Sequence, residues 1–193
     1  MIPSSFFERD PVTSARELIG TTLVHKSSAG IVIETEAYAE HGDEACHLFT
    51  RPSARTFAET HSPGTAYVYL NYGVHWLANV LCKDSETGES GFVLLRALEP
   101  ISGLSVMKRR RKQADLCALC SGPGKLGQAL GIGKTHHGNS FCKEDYFCFR
   151  EDKNTSFDIV ADRRIGISSA KELKWRFLAH DHPGVSVPFG KAK

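Results

Sequence analysis

The chain contains no run of about 18 or more apolar residues, so no membrane-spanning helix is expected. Its first residues, MIPSSFFERDP, lack a charged leader followed by an apolar stretch, so no secretory signal is expected and a cytosolic location is the default. Charge of one sign is also scarce: the net charge is +2 over 193 residues, too little to name a partner. A second Cys-x-x-Cys is missing. CALC, Cys117 to Cys120, stands alone, and Cys142 and Cys148 do not match finger-like spacing, so a structural zinc site is not expected. The six cysteines read instead as reduced, mostly packed thiols. Long linkers, internal repeats and low-complexity tracts are absent too.

What is present suits one domain, 1–193, since domains commonly span about 100–200 residues. A hydrophobic share of 41% and a charged share of 24% are ordinary for a soluble globular chain. RDPVTSARELIG reads as a short helix with Asp10 as its cap, Pro11 at its first position and Gly20 at its end. TTLVHK reads as a strand, SSAG as a turn and IVIETEAY as the hairpin partner. GDEACHLF is expected to start a helix with Asp43 near its N-terminus, and RPSARTFAETHSPG to form a loop. TAYVYLNYG, HWLANVLCK and GFVLLRALEP read as strands, the last ended by Pro100. SGLSVMKRRRKQ and SGPGKLGQALGI read as helices, the second capped by Ser121, and the last third as short strands and loops. Strands in hairpins with helices elsewhere predict an α+β fold: a curved, mainly antiparallel sheet flanked by helices.

Several residues are out of keeping with that frame. In GIVIETEAYAEHGDEACH, Glu34, Glu36 and Tyr38 share one side of a period-two ribbon that begins as a buried strand. Asn79 and Arg96 each interrupt an apolar run, and charged residues are rarely buried without partners. Glu36 and Arg96 make a natural pair, because an adjacent arginine keeps a buried carboxylate ionised; the same pair could equally serve as a core ion pair. Tyr67 and Tyr69 share a strand face, with Val68, Leu70 and Tyr72 on the other. Three tyrosines in six residues suit packing, but aromatic faces can also hold a planar, cationic ring. The run Lys108 to Lys112 is either a nucleic-acid patch or a solvated helix face.

Taken in order, FFERDPVTSARELIGTTLV, IVIETEAY, DEACH, PGTAYVYLNYG, LLRALEP, LCSGPGKLGQALGI and RIGI resemble the alkyladenine DNA glycosylases, also called 3-methyladenine or methylpurine-DNA glycosylases, over nearly the whole chain. The resemblance implies a monofunctional base excision repair enzyme. It would act on damaged double-stranded DNA as a monomer and without cofactor or metal, in the cytoplasm of a prokaryote or the nucleus of a eukaryote. It would flip out alkylated or deaminated purines and hydrolyse the N-glycosidic bond. By the same resemblance Glu36 is the general base, Arg96 helps hold the attacking water and Ile165 offers it a backbone carbonyl. Tyr38, His47 and Tyr69 sandwich the flipped base, with Asn79 and Leu94 completing the pocket and Asn79 disfavouring guanine's exocyclic amine. Tyr72 fills the hole left in the duplex. Apart from the resemblance, Lys125 near a helix start and Arg109 and Arg110 of the basic run are candidate backbone contacts.

The chain departs from the family pattern in LFTRPSARTFAETHS, which lacks the familiar run of Thr, Arg, Asn and Met, and in KRRRKQADLCALC. No lysine stands near ETEAY to form a Schiff base, so simple hydrolysis is expected. Two other readings stay open on residue types alone. One is a metal-dependent hydrolase using Glu36, His41, Asp43 and His47. The other is a binding module that uses the tyrosine strand as a stacking platform.

Overall fold

A computed structural model describes residues 1–151 and 156–192. Helix α1, Pro11–Leu18, starts as its sequence predicts: the Asp10 carboxylate accepts from the N–H groups of Val12 and Thr13, both at 2.9 Å. Those N–H groups have no partner within the helix, so the cap supplies one. Strand β1, Thr22–His25, turns at Lys26 and Ser27 into β2, Ser28–Ala39. The turn is thus tighter than the SSAG expected, and Ser28, Ala29 and Gly30 already belong to the strand.

β2 is the spine of the molecule. One edge pairs along nearly its whole length with β5, Ser90–Ser102. The other edge is shared, first by β1 and then, at Glu34 to Glu36, by β8, Arg176–Ala179. β3, Ala66–Asn71, and β4, His75–Lys83, extend the sheet beyond β5; β6, Phe147–Arg150, extends it beyond β1; and β7, Ile159–Asp162, pairs with β8. Every named pair of this eight-stranded sheet is antiparallel. The α+β architecture with a curled antiparallel sheet is therefore the one the strand pattern predicts.

The two faces of the sheet are covered differently. Val32, Val68, Ala78, Val80, Val93 and Leu95 join the main core with α1 and with α6, Pro123–Leu130. The alternate positions Tyr67, Leu81 and Phe92 face a smaller cluster under α2, His47–Thr50, and α3, Pro52–Thr60. Tyr67 and Tyr69 share that second face, as their period-two spacing requires. Helix α4, Leu104–Arg111, and the short α5, Leu116–Leu119, complete the fold on the α6 side.

Four local expectations need correction. RPSARTFAETHSPG is largely helical: Pro52 occupies the first helical position of α3, where a missing N–H costs nothing. The DEACH segment is not helical until His47; Asp43 instead folds a turn, its carboxylate accepting from Ala39 and Ala45. β5 runs through Pro100, which sits beside an irregularity where Gly30 opposes Pro100 and Ala29 opposes Ser102; a bulge relieves a strand of the N–H that proline lacks. Ser121 does not cap α6. Gly122 holds that position with φ of 143°, and the Ser121 hydroxyl accepts from Lys125.

Candidate active site

The site grows from an irregularity between β2 and β5. Val32 opposes Leu98, Glu34 opposes Ala97 and Thr35 opposes Leu95, so Ile33 and Arg96 are left without direct partners. Bulges of this kind re-aim side chains. Here they put Arg96 on the same face as Glu34 and Glu36. Its Nε donates to Glu34 Oε1 at 3.3 Å and its Nη1 to Glu36 Oε2 at 3.1 Å. Both carboxylates are fully buried and Arg96 is 6% exposed. Burial opposes the Arg96 charge, but Glu36 and then Glu34 outweigh it and raise its pKa.

Glu36 is held on three sides. Oε2 also accepts from the Tyr38 hydroxyl at 2.7 Å, and Oε1 accepts from the Ile165 backbone N–H at 2.7 Å. An ionised carboxylate offers roughly four acceptor positions, so Oε1 keeps one for a further donor such as water. Ile165 thus reaches Glu36 through its amide, a contact the sequence reading did not include alongside its carbonyl.

Tyr38, Arg96 and Ile165, which hold Glu36, form one wall of a cavity of about 510 Å³. The rest is mainly aromatic. The His47 and Tyr69 rings meet edge to face with centroids 4.5 Å apart, and Tyr67 stacks on Phe92 at 4.5 Å. His47 Nδ1 lies 3.2 Å from the Tyr67 hydroxyl. Burial, aided by the charge of Arg51, pushes the His47 pKa down to about 4, so its imidazole is neutral at pH 7. Burial pushes Tyr69 up to about 12. Burial, and then the neighbouring Glu36, raise Tyr38 well above its ordinary value. Asn79 and Leu94 are paired across β4 and β5 at the cavity floor. The Asn79 amide donates to the Tyr67 carbonyl at 3.0 Å, which fixes which end of the amide is which.

Behind Tyr38 lies a second ion pair that sequence reasoning missed. Arg164 grips Asp43 with two bonds, at 2.6 and 2.7 Å, both residues being buried. Its guanidinium covers the Tyr38 ring at 4.6 Å from the centroid, and it donates to the Ala37 carbonyl. The back of the tyrosine is therefore clamped. A third arginine, Arg176, bridges Glu34 and Asp162. Three of the four residues of the alternative metal set are engaged elsewhere. His41 pairs with Glu89 at the surface, Asp43 belongs to Arg164 and Glu36 to Arg96, and no metal-like cluster of His, Cys, Asp and Glu occurs among the described residues.

Tyr72 stands at the rim, in the turn joining β3 and β4. It is 87% exposed and has φ of +49°, followed by Gly73 at +71°. A tyrosine in the left-handed region is uncommon, and two such residues in sequence are what a tight hairpin turn of right-handed twist demands.

Tyr38, His47, Tyr69, Tyr72, Asn79, Leu94, Arg96 and Ile165 thus all line one cavity, with Glu36 immediately behind its wall. The three candidate backbone contacts lie outside it. Lys125 is exposed two residues after Pro123, which does line the cavity. Arg109 and Arg110 are both exposed, and Arg110 also donates to the Ala129 carbonyl at 3.0 Å near the end of α6. Arg111 likewise donates to the Leu119 carbonyl. The basic run is therefore divided between fold and solvent.

Residues 5–183 match the family model described as methylpurine-DNA glycosylase. The chain is 44% identical over 187 residues to a Rhodopseudomonas palustris (strain BisB18) protein named "Putative 3-methyladenine DNA glycosylase", covering 97% of this chain and 91% of that one. Proteins of the same name from Nitrosospira multiformis and Chlorobaculum tepidum are 40% and 38% identical, over 97% and 95% of this chain and 94% and 89% of theirs.

Proposed function

The chain belongs to the methylpurine-DNA glycosylase family, and from that premise we propose that it excises alkylated or deaminated purines by water attack directed by Glu36. The observation that carries this reading is a fully buried carboxylate, held by Arg96, Tyr38 and Ile165 at the wall of an aromatic cavity.

The N-glycosidic bond cannot be reached inside a stacked duplex, so the nucleotide must be extruded, at a cost of a few kcal/mol that is smallest for a damaged base. Tyr72 is the wedge that fills the gap and offsets part of that cost. The base enters between Tyr38 on one side and His47 and Tyr69 on the other, over Leu94, while Asn79 disfavours the exocyclic amine of guanine. Water at the free position of Glu36 Oε1, steadied by Arg96 and the Ile165 carbonyl, gives its proton to Glu36 as its oxygen bonds to C1′. The C1′–N9 bond breaks with its electron pair going to the purine, leaving an abasic site. Among the described residues no lysine lines the cavity, which supports hydrolysis over strand-nicking Schiff-base chemistry. Lys125, Arg109 and the outer face of Arg110 would meet phosphates, giving affinity that falls with salt.

The test uses duplexes carrying hypoxanthine or ethenoadenine, and methylated DNA. Free base should appear, with strand cleavage only after hot alkali. Glu36→Gln should lower the single-turnover rate by about 10²–10⁴, the range of general base catalysis, and retain lesion binding. Undiminished release from Glu36→Gln would remove Glu36 from the role.

A further inference from the structure

Arg51 is a charge on the cavity wall that this scheme does not use. It stands where α2 ends and α3 begins. Its N–H donates to the His47 carbonyl at 2.7 Å, and its carbonyl accepts from Ala54 at 3.0 Å. Pro52 follows, and a residue preceding proline is held to extended backbone; Arg51 has φ of −124° and ψ of 111°. From that anchored position its guanidinium lies over the Tyr69 ring, Cζ 5.4 Å from the centroid, and its side chain forms part of the cavity wall. The nearby Arg55 has a different task, donating to the carbonyls of Leu48 and Phe49 and so joining α3 to α2.

The other arginines around the site are neutralised. Arg96, Arg164 and Arg176 each meet buried carboxylates. Arg51 forms no ion pair among the described residues. The one acidic side chain among the wall residues is the exposed Glu44. Arg51 therefore presents uncompensated positive charge beside the stacking faces of Tyr69 and His47, and its field reaches the His47 imidazole and both the Tyr67 and Tyr69 hydroxyls.

We propose that Arg51 is a specificity-determining residue: it stabilises the negative charge that develops on an uncharged purine as it leaves, and so biases the enzyme toward deaminated and other neutral lesions over cationic methylpurines. This rests on the glycosylase reading above. For hypoxanthine, the electron pair of the breaking C1′–N9 bond passes to a neutral ring, which departs as an anion and takes its proton from solvent afterwards. The water oxygen bonds to C1′ and its proton goes to Glu36. A methylpurine already carries positive charge, departs neutral, and is repelled by Arg51 as it binds. His47 is neutral near pH 7 and the wall tyrosines hold their protons more tightly than usual. What this wall offers the leaving base is the positive charge of Arg51.

Single-turnover release of hypoxanthine from a duplex, and of methylpurines from dimethyl sulfate-treated DNA, is compared for the whole protein, Arg51→Gln and Arg51→Lys. The hypoxanthine-to-methylpurine rate ratio should fall about tenfold or more in Arg51→Gln, below the effect of a fully enclosed donor because Arg51 is exposed. Arg51→Lys should restore most of it. Arg51→Met, which keeps the alkyl stem over Tyr69, replaces Arg51→Gln if that variant does not fold. An unchanged ratio with weaker binding to all duplexes would make Arg51 a phosphate contact and overturn the proposal. Absence of hypoxanthine release from the unaltered protein would overturn it too, while leaving Glu36-dependent methylpurine release intact. Release of neither base would sink the glycosylase reading itself.

Discussion

At His47, burial and the Arg51 guanidinium hold the folded-state pKa at about 4, against an ordinary value of 6.5. Between those two values the unfolded chain binds a proton that the folded chain refuses, so stability falls as pH falls through that window and is complete above it. The stability advantage of the unaltered protein over His47→Asn should accordingly shrink between about pH 6.5 and 4, read as urea midpoints. His25, His136 and His137 are lowered by burial as well, but they remain in both proteins and cancel in the difference. An advantage that widens on acidification would mean the imidazole is charged in the folded state. Residues such as Glu36 and Arg96 could be singled out from sequence because a charge inside an apolar strand must find a partner. Arg164 gave no such sign. It lies in a polar loop, and its partner Asp43 is 121 positions away, so only folding reveals it as the clamp behind Tyr38.

The turn of the β3–β4 hairpin is strained. Tyr72 has φ of +49°, a conformation costing roughly 1–2 kcal/mol for a residue with a Cβ, and glycine would adopt it freely. Tyr72→Gly should therefore stabilise the protein by about 1 kcal/mol in denaturant titration, while slowing excision through loss of the proposed wedge. Loss of stability in Tyr72→Gly would show that the tyrosine is a packing residue and not a wedge. The strands on either side of this turn were plain in sequence, since Tyr67, Tyr69, Val68 and Val80 follow period two. Two of the departures from the sequence expectation arise where proline reads as punctuation. Pro52 opens α3 from its first position, and Pro100 sits inside β5 because a register shift beside Gly30 excuses its missing N–H. Proline marks a boundary in the first case and a bulge in the second, and local composition does not distinguish either from a loop.

Across the whole molecule, one buried ionic chain joins the sheet spine to the last third of the sequence. Asp162 binds Arg176, Arg176 binds Glu34, Glu34 binds Arg96, and Arg96 binds Glu36. Ser186 closes it from the C-terminal segment, donating to Glu34 from both its N–H and its hydroxyl. Arg176 and Glu34 are 142 positions apart, which is why the pattern of strands could suggest the architecture while this tie stayed hidden. Arg176 is fully buried, and truncating it would leave Glu34 and Asp162 short of a shared cation in a low-dielectric interior. Breaking one partner of such a pair costs about 3–5 kcal/mol, and in a chain of this size each kcal/mol moves the melting temperature by about 2–4 °C. Arg176→Met should thus lower the melting temperature by roughly 6–20 °C. Arg176→Lys, which keeps the charge but not the planar fork that spans two carboxylates, should recover only part of the loss. Because Glu34 is shared between Arg176 and Arg96, the same variants should also slow excision at temperatures where they remain folded, through a displaced Arg96. Melting within about 2 °C of the unaltered protein would mean that solvent or neighbouring groups replace Arg176 without cost, and that the C-terminal third is held to β2 by its strand pairing and apolar packing alone.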